Sequence, residues 1–388
     1  MKILYCAQAI RLDRSHGGAT HAREVTNGLH ALGHDLWVIG RGDHGTDRSH
    51  RLDARLTFTP MPPVAALLMT PSVRRIVRTW EPDVVMERYY TFAGSGILAA
   101  HRRSIPSLLE VNAPVIDPPG SRKDRIDRLL GRPMQRWANR QCAWATTIVT
   151  PLATTVPSHV HQKIVALPWG ANVHLFDPDR YPIGDGCVET LRQRYGIPYG
   201  APVVGFTGSF RAWHGASDAV RAFRLIRQRI PDARLLFVGD GPERAAIART
   251  IPRNDASHVI FAGAVPYEEV APHLALVDVA VAPFAPRRHA PLRHFGFYWS
   301  PLKVYEALAM AVPVVTTDIP PLTEIVAGCG DATPEGDSMA LADAVIALLR
   351  DDDRRRAAGR LGRERVIQRF SWDAHCRALD ATLRAMVA

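Results

Sequence analysis

The sequence has no apolar run approaching the roughly 20 uncharged residues of a membrane-spanning helix, so a soluble globular chain is expected. Its five cysteines, Cys6, Cys142, Cys187, Cys329 and Cys376, are scattered, odd in number and without a Cys-x-x-Cys pair. That pattern argues against zinc and against secretion, and Cys6, inside an apolar strand pattern, reads as a small core residue. No solenoid or propeller period is present. No clustered aromatic and basic platform exists for stacking bases, so nucleic acid is not an expected partner. Low complexity is confined to Asp351-Asp352-Asp353 and Arg354-Arg355-Arg356, read as a helix start with acids near its positive end. The opening Lys2-Ile-Leu-Tyr-Cys reads as a strand rather than a signal peptide, and the cytoplasm is the expected compartment.

What the chain does have is 388 residues, 47% of them hydrophobic, and a net charge of +10. The length suits two domains. The charge implies anionic partners without choosing among nucleic acid, membrane surface and phosphorylated substrate. Residues 121–140 hold seven basic residues against two aspartates, with Ile126, Leu129, Leu130 and Trp137 among them. That segment reads either as an amphipathic stretch for an anionic membrane face or as a solvated helix.

Short apolar runs alternate with helical patterns, the signature of βαβ units and parallel sheets. Strands are expected at 3–7, 36–39, 84–86, 107–109 and 147–149, then at 203–206, 234–238, 259–261, 279–282 and 314–316. Helices are expected at 340–350 and 353–386. The stretch 168–202 loses the alternation and reads as a hinge. The expected division is an N-terminal Rossmann-like domain over 1–168, a C-terminal one over 169–370, and a helix over 371–388 that returns to the first.

The densest chemistry lies in 299–314, Trp-Ser-Pro-Leu-Lys-Val-Tyr-Glu-Ala-Leu-Ala-Met-Ala-Val-Pro-Val. Ser300 is placed to cap a helix and Pro301 suits its first turn, leaving the amides of Leu302 and Lys303 to face an anion. One turn later Glu306 can accept from the two hydroxyls of a ribose, while Leu302, Tyr305, Leu308 and Ala309 pack inward. Phosphate donors and a hydroxyl acceptor on one turn describe a nucleotide site.

Other motifs sit where strands end, the edge at which open parallel sheets bind nucleotides. Ser15-His16-Gly17-Gly18-Ala19-Thr20 lies between the first strand and first helix. Its glycines permit close approach to a phosphate or sugar, although it lacks the P-loop lysine and the third glycine of a dinucleotide fingerprint and also reads as a plain turn. In Gly205-Phe206-Thr207-Gly208-Ser209-Phe210-Arg211-Ala212-Trp213-His214-Gly215, the Arg211 guanidinium suits phosphate oxygens. His214 is either a phosphate partner or a capping histidine. Phe237-Val238-Gly239-Asp240-Gly241-Pro242 is explained by turn chemistry alone. Met86-Glu87-Arg88-Tyr89 and Leu109-Glu110-Val111-Asn112 end two further strands, as lining residues or as structural charges. Arg287, Arg288, His289, Arg293 and His294 form a basic loop, functional or merely solvated. Asp177-Pro178-Asp179 falls in the hinge, and the pairs His159/His161 and His289/His294 lack zinc spacing, so no metal is expected.

These segments together resemble the retaining GT-B glycosyltransferases of family four, whose donor-site helix often reads Ser-Pro-Leu-Lys-(aliphatic)-(aromatic)-Glu, and the resemblance covers nearly the whole chain. It implies the GT-B fold, two Rossmann-like α/β domains whose parallel sheets face a central cleft. It implies donor binding by Gly17, Gly18, Ser209, the turn Gly239, Asp240, Gly241, and Val265, whose backbone would read the base. Tyr298, Trp299, Ser300, Pro301 and Leu302 would complete that site. Arg211, His214, Lys303 and Glu306 would carry catalysis, with His16, Glu87, Arg88 and Asn112 on the acceptor side. The chain departs from the family at three places. Ser209 and His214 stand where an arginine and a lysine are usual, Tyr298 replaces the first of two paired glutamates, and no histidine lies near Asn112 to serve as general base.

The expected activity is transfer of a sugar, with retention, from a UDP- or GDP-sugar to a hydroxyl of a glycan, lipid-linked or small-molecule acceptor. No metal or other cofactor is expected. A nucleotide-sugar epimerase of the same fold and a non-catalytic subunit supporting a partner enzyme are the alternatives.

Overall fold

The computed structural model describes residues 1–13, 17–42, 52, 54–115, 117–182 and 184–388, so His16 lies outside the described residues. Two compact units emerge. The first comprises Met1–Trp169, His294–Ser300 and Trp372–Ala388, and the second Gly170–Arg293 and Pro301–Ser371.

The first unit is built on β1 (Lys2–Arg11), β2 (Asp35–Arg41), β3 (Arg55–Phe58), β4 (Val84–Arg88), β5 (Ser107–Glu110), β6 (Thr147–Val149) and β7 (Ile164–Val165). Their order is β3-β2-β1-β4-β5-β6-β7, with parallel pairing throughout. Parallel strands are covered on both faces and therefore read as continuous apolar runs, which is why β1 is legible at Ile3 to Ala7. Leu4, Cys6 and Val85 pack with Val73, Ile76, Val77 and Trp80 of helix Thr70–Trp80 and with Ala99 and Ala100 of helix Ser95–His101. Helix Trp372–Val387 lies against helix Gly17–Ala31. A Cβ on Gly28 would fall 2.4 Å from Cys376 Sγ, so glycine is what lets the two helices approach, and His34 bonds Asp380 at 2.7 Å beside them.

The second unit holds β8 (Val203–Thr207), β9 (Arg234–Val238), β10 (Val259–Gly263), β11 (Val279–Ala282), β12 (Val314–Thr317) and β13 (Gly330–Thr333), in the order β10-β9-β8-β11-β12-β13. Its core stacks Phe206, Phe210 and Phe237, with Phe223 from helix Ala216–Arg229. In each sheet the winding reverses direction once, between β1 and β4 and between β8 and β11. A doubly wound sheet opens a ligand crevice at that point.

Several expectations need correction. Residues 121–140 form two helices, not one: Arg122–Leu129, capped by Ser121, and Pro133–Trp144. Between them Arg132 takes φ +63, while the carboxylate of Asp127 accepts the amides of Met134 and Gln135 at 2.8 and 3.1 Å. The span 353–386 is likewise divided into Asp352–Arg369 and Trp372–Val387. Strands β3, β7 and β13 are not among those expected, since each is short, polar or half exposed. The hinge stretch contains a helix, Gly186–Arg194, capped by Asp185. Asp177 is a structural acid there, bonded to Arg363 at 2.7 Å.

Gly359 lies within helix Asp352–Arg369, and a Cβ there would sit 2.0 Å from the carbonyl oxygen of Ala311. Helix propensity alone would make Gly359→Ala stabilising by about 1 kcal/mol. The contact reverses the sign, and urea unfolding should show a loss of about 2 kcal/mol.

Candidate functional site

At the carboxyl end of β8 the chain turns through Gly208 and Ser209, and three consecutive turns lock together there. Gly208 N donates to Val238 O at 2.9 Å, Phe210 N to Asp240 O at 3.0 Å, and Gly239 N to Gly263 O at 2.7 Å. Gly239 has φ +135, and a Cβ on it would fall 2.1 Å from Gly208 O, so no other residue fits. Asp240 turns its Oδ1 to the amide of Gly241 at 2.7 Å. Val265 follows β10, half-buried. The glycine motifs thus hold the ends of β8, β9 and β10 in one rigid floor.

Helix Leu302–Ala309 begins one residue later than expected. Pro301 is the N-cap and has no side-chain bond to give. Ser300 does not cap the helix; its Oγ accepts the amide of Trp169 at 2.9 Å. The amides of Leu302 and Lys303 are still first-turn donors without an intrahelical acceptor. The helix is buried on nearly every side, with Val304 and Ala307 covered as well as Tyr305, Leu308 and Ala309, and Leu302 only partly so.

Lys303 carries the decisive geometry. Its Nζ is buried and has no hydrogen-bond partner, although the residue as a whole is partly exposed. It sits 4.2 Å from the ring centre of Phe206 and 5.3 Å from that of Phe284. Phe206 is in β8 and Phe284 follows β11, so the ammonium lies at the reversal point of the sheet. Cation–π contacts supply some attraction but do not replace hydration, and burial pulls the group down to about 7, partly offset by Glu306. Glu306 is pushed up to about 7 by burial, against a hydrogen bond from Tyr267 and the charge of Lys303.

His214 donates from Nδ1 to the carbonyl of Ser209 at 2.7 Å, with the Ser209 hydroxyl at 3.1 Å. Its Nε2 is therefore a bare acceptor in the neutral ring. Burial, then the charge of Lys303, lowers its pKa to about 3, so a proton at Nε2 requires an anion beside it. Arg211 is exposed and lies over the Trp213 ring at 5.4 Å, and Trp213 meets His289 at 4.2 Å. Of the basic loop, Arg288 grips Asp218 with both terminal nitrogens, at 2.7 and 2.9 Å. Arg287 faces Glu335 at 3.7 Å.

In the first unit Gly17 and Gly18 open helix Gly17–Ala31 rather than a preceding loop. Glu87 is not free for an acceptor: Oε1 accepts Gly94 N and Oε2 accepts Ile97 N, both at 2.8 Å, which caps helix Ser95–His101. Arg88 donates to His21 Nδ1 at 2.8 Å and lies over the Trp169 ring at 5.3 Å. Asn112 Oδ1 accepts Trp169 Nε1 at 3.0 Å, while its Nδ2 is buried without a partner. Tyr298 is buried, and Trp299 packs against it at 5.1 Å.

Sequence reasoning missed the cluster around Arg88. Tyr5 Oη donates to Glu110 Oε2 at 2.6 Å, and His21 Nε2 stands 3.5 Å from Glu110 Oε1. His375 donates to the carbonyl of Pro168 at 2.9 Å. His21, Glu110 and His375 could by spacing hold a metal ion. The tautomer opposes it: Arg88 makes His21 Nδ1 an acceptor, so Nε2 carries the hydrogen and points it at Glu110. The five residues are far apart in sequence, and only Arg88 and Glu110 stood in recognised motifs; Tyr5, His21 and His375 did not.

Two family descriptions match this chain, Glycosyltransferase Family 4 over residues 15–173 and Glycosyl transferases group 1 over residues 201–351. The chain belongs to the group 1 glycosyl transferases. Among relatives, a 2-deoxystreptamine glucosyltransferase of Streptomyces kanamyceticus is 27% identical over 286 residues, 67% of this chain and 73% of its own length. A GDP-mannose-dependent alpha-(1-6)-phosphatidylinositol monomannoside mannosyltransferase of Mycolicibacterium smegmatis is 31% identical over 200 residues, about half of either protein. Among solved structures, Anabaena HepE in complex with UDP matches with a TM-score of 0.74 at 17% identity, covering 99% of this chain and all of that one. The likeness establishes the GT-B fold for this glycosyltransferase.

Because the folded-state pKa of Lys303 is depressed, its contribution to the stability of the glycosyltransferase is present above the unfolded value of 10.5 and is lost as pH falls through about 7. Lys303→Met removes that loss. In urea unfolding the variant should be the more stable protein at pH 6, with a margin that shrinks by pH 9.

Proposed function

We propose that this enzyme transfers a sugar, with retention of anomeric configuration, from a UDP- or GDP-sugar to an acceptor hydroxyl and needs no metal ion. The observation that carries the reading is the buried, unpartnered ammonium of Lys303 at the reversal point between β8 and β11. An anion bound against it would restore the interactions the ammonium lost on leaving water. The amides of Leu302 and Lys303 would face the same diphosphate, and Glu306 one turn on would accept from ribose hydroxyls. The named relatives agree in kind, one dependent on GDP-mannose and HepE holding UDP.

The chemistry follows from charge. As the bond from the anomeric carbon to the diphosphate breaks, negative charge grows on the leaving oxygen, and Lys303, Arg211 and the helix amides oppose it without reorganising. Those cations make a divalent ion unnecessary. His214 Nε2 becomes a donor only when the anion raises the pKa of the ring. With Glu87 committed to a helix cap, no first-unit carboxylate at that strand end is free as a nucleophile. The reading is therefore same-face substitution: the acceptor oxygen bonds the anomeric carbon, the diphosphate departs, and its oxygen takes the acceptor's proton.

A cytoplasmic enzyme in peripheral contact with an anionic membrane, acting on a lipid-linked or cell-surface glycan, is part of the same proposal. Leu129 and Leu130 are 87% and 68% exposed. Asp124 is bonded to Gly120 N and Arg128, and Asp127 is buried, leaving Arg122 and Arg125 unopposed, while Lys123 faces Asp117. Among the described residues no helix is long and apolar enough to cross a membrane.

Product analysis by NMR should show the donor's anomeric configuration, with activity unchanged by EDTA; an inverted product or EDTA-sensitive, magnesium-restored activity contradicts the mechanism. Lys303→Ala and Glu306→Ala should each weaken UDP or GDP binding by about 10- to 100-fold in calorimetry. Vesicles containing anionic lipid should retain the wild type at low salt and release Leu129→Ser/Leu130→Ser.

A further inference from the structure

We propose that a pocket of five arginines on the first unit binds a small, soluble phosphoryl-bearing anion at a site separate from the one that holds the donor. Arg74, Arg75 and Arg78 of helix Thr70–Trp80 and Arg102 and Arg103, which follow helix Ser95–His101, line one cavity of about 450 Å3. Among the described residues none of these five guanidiniums has a side-chain hydrogen bond or ion pair. Elsewhere the fold supplies acids to its arginines, as with Arg288 on Asp218, Arg363 on Asp177 and Arg354 on Asp331. Five unopposed like charges around one concavity repel one another and focus a positive potential into it. An anion reverses that balance, and the planar fork of a guanidinium matches phosphoryl oxygens in pairs.

The lining also says what does not bind. Of the apolar lining residues Val77 and Ala99 are 1% and 2% exposed and Pro71 alone stands out, and a single proline is too little apolar surface to anchor in a bilayer. No aromatic ring lines the cavity on which a base could stack. The volume suits a diphosphate or a sugar phosphate. Position separates it from the chemistry described above: helix Thr70–Trp80 leads into β4, and Arg102 and Arg103 precede β5. The pocket therefore lies at the amino-terminal edge of the sheet, away from the carboxyl edge where substrates bind.

The test is calorimetric titration of inorganic pyrophosphate into the full chain at low ionic strength, using wild type, Arg78→Gln/Arg103→Gln and Lys303→Met. Wild type should show two binding components. The arginine double variant should lose one, its affinity falling about tenfold or more, and Lys303→Met should lose the other, so failure here is distinct from failure of the donor reading. Both substituted arginines are exposed, and without anion the double variant should melt above wild type at low salt because two repelling charges are gone. Pyrophosphate binding that is unchanged in the double variant overturns the proposal. So does loss of anionic-vesicle or oligonucleotide binding in that variant while pyrophosphate binding persists.

Discussion

A charged amine taken out of water without a partner is an expense that a protein core does not normally tolerate. In this chain that amine is Lys303 Nζ, held against two aromatic rings and left without a hydrogen-bond acceptor. The surroundings are arranged to keep it there. Gly208, with φ +112, leaves only 3.1 Å between a would-be Cβ and the ammonium, so the strand end passes as close as a backbone can. Glu306 shares its helix and partly offsets the burial, yet it too is driven toward its neutral form. The pair stays poised near neutral pH, and the proposed diphosphate would settle it in favour of the charged amine.

The floor under that amine explains why the glycines are where they are. The turn after β9 fits beneath the turn after β8 only because Gly239 and Gly241 lack side chains, each facing backbone atoms within 3 Å of where a Cβ would be. The same packing ties β10 in through the carbonyl of Gly263. The tight turns use their own amides on one another, and what they give the edge of the sheet is rigidity and a backbone that passes close beside Lys303. In the first unit the corresponding edge is organised by charge. Glu87 holds the start of one helix, and Arg88, His21, Glu110 and Tyr5 form a closed network around Trp169.

Sequence patterning made the architecture legible because parallel strands buried on both faces are continuous apolar runs, as in β1, β9 and β11. It failed at β3, β7 and β13, edge strands whose exposure removes the pattern, and at 130–132 and 370–371, where two or three irregular residues divide helices that periodicity would join. The helix over Leu302–Ala309 and the positions of Lys303 and Glu306 along it were legible because the apolar periodicity of Tyr305, Leu308 and Ala309 and the first-turn preference of proline are local. The role of Ser300 was not, since its partner is 131 residues away. Glu87 misled for the same reason: a carboxylate at a strand end reads as lining until the helix amides that consume it are known. Phe206 and Phe284, which hold the ammonium, look like ordinary core residues in sequence.

The claim that the buried amine awaits an anion has a direct thermodynamic signature. A group whose pKa is pulled to about 7 in the free protein must take up a proton when an anion restores its charge. Calorimetric titration of UDP at pH 8 in buffers of different ionisation enthalpy measures that proton. The account predicts net uptake that disappears in Lys303→Met; binding of UDP with no proton uptake in the wild type would contradict it.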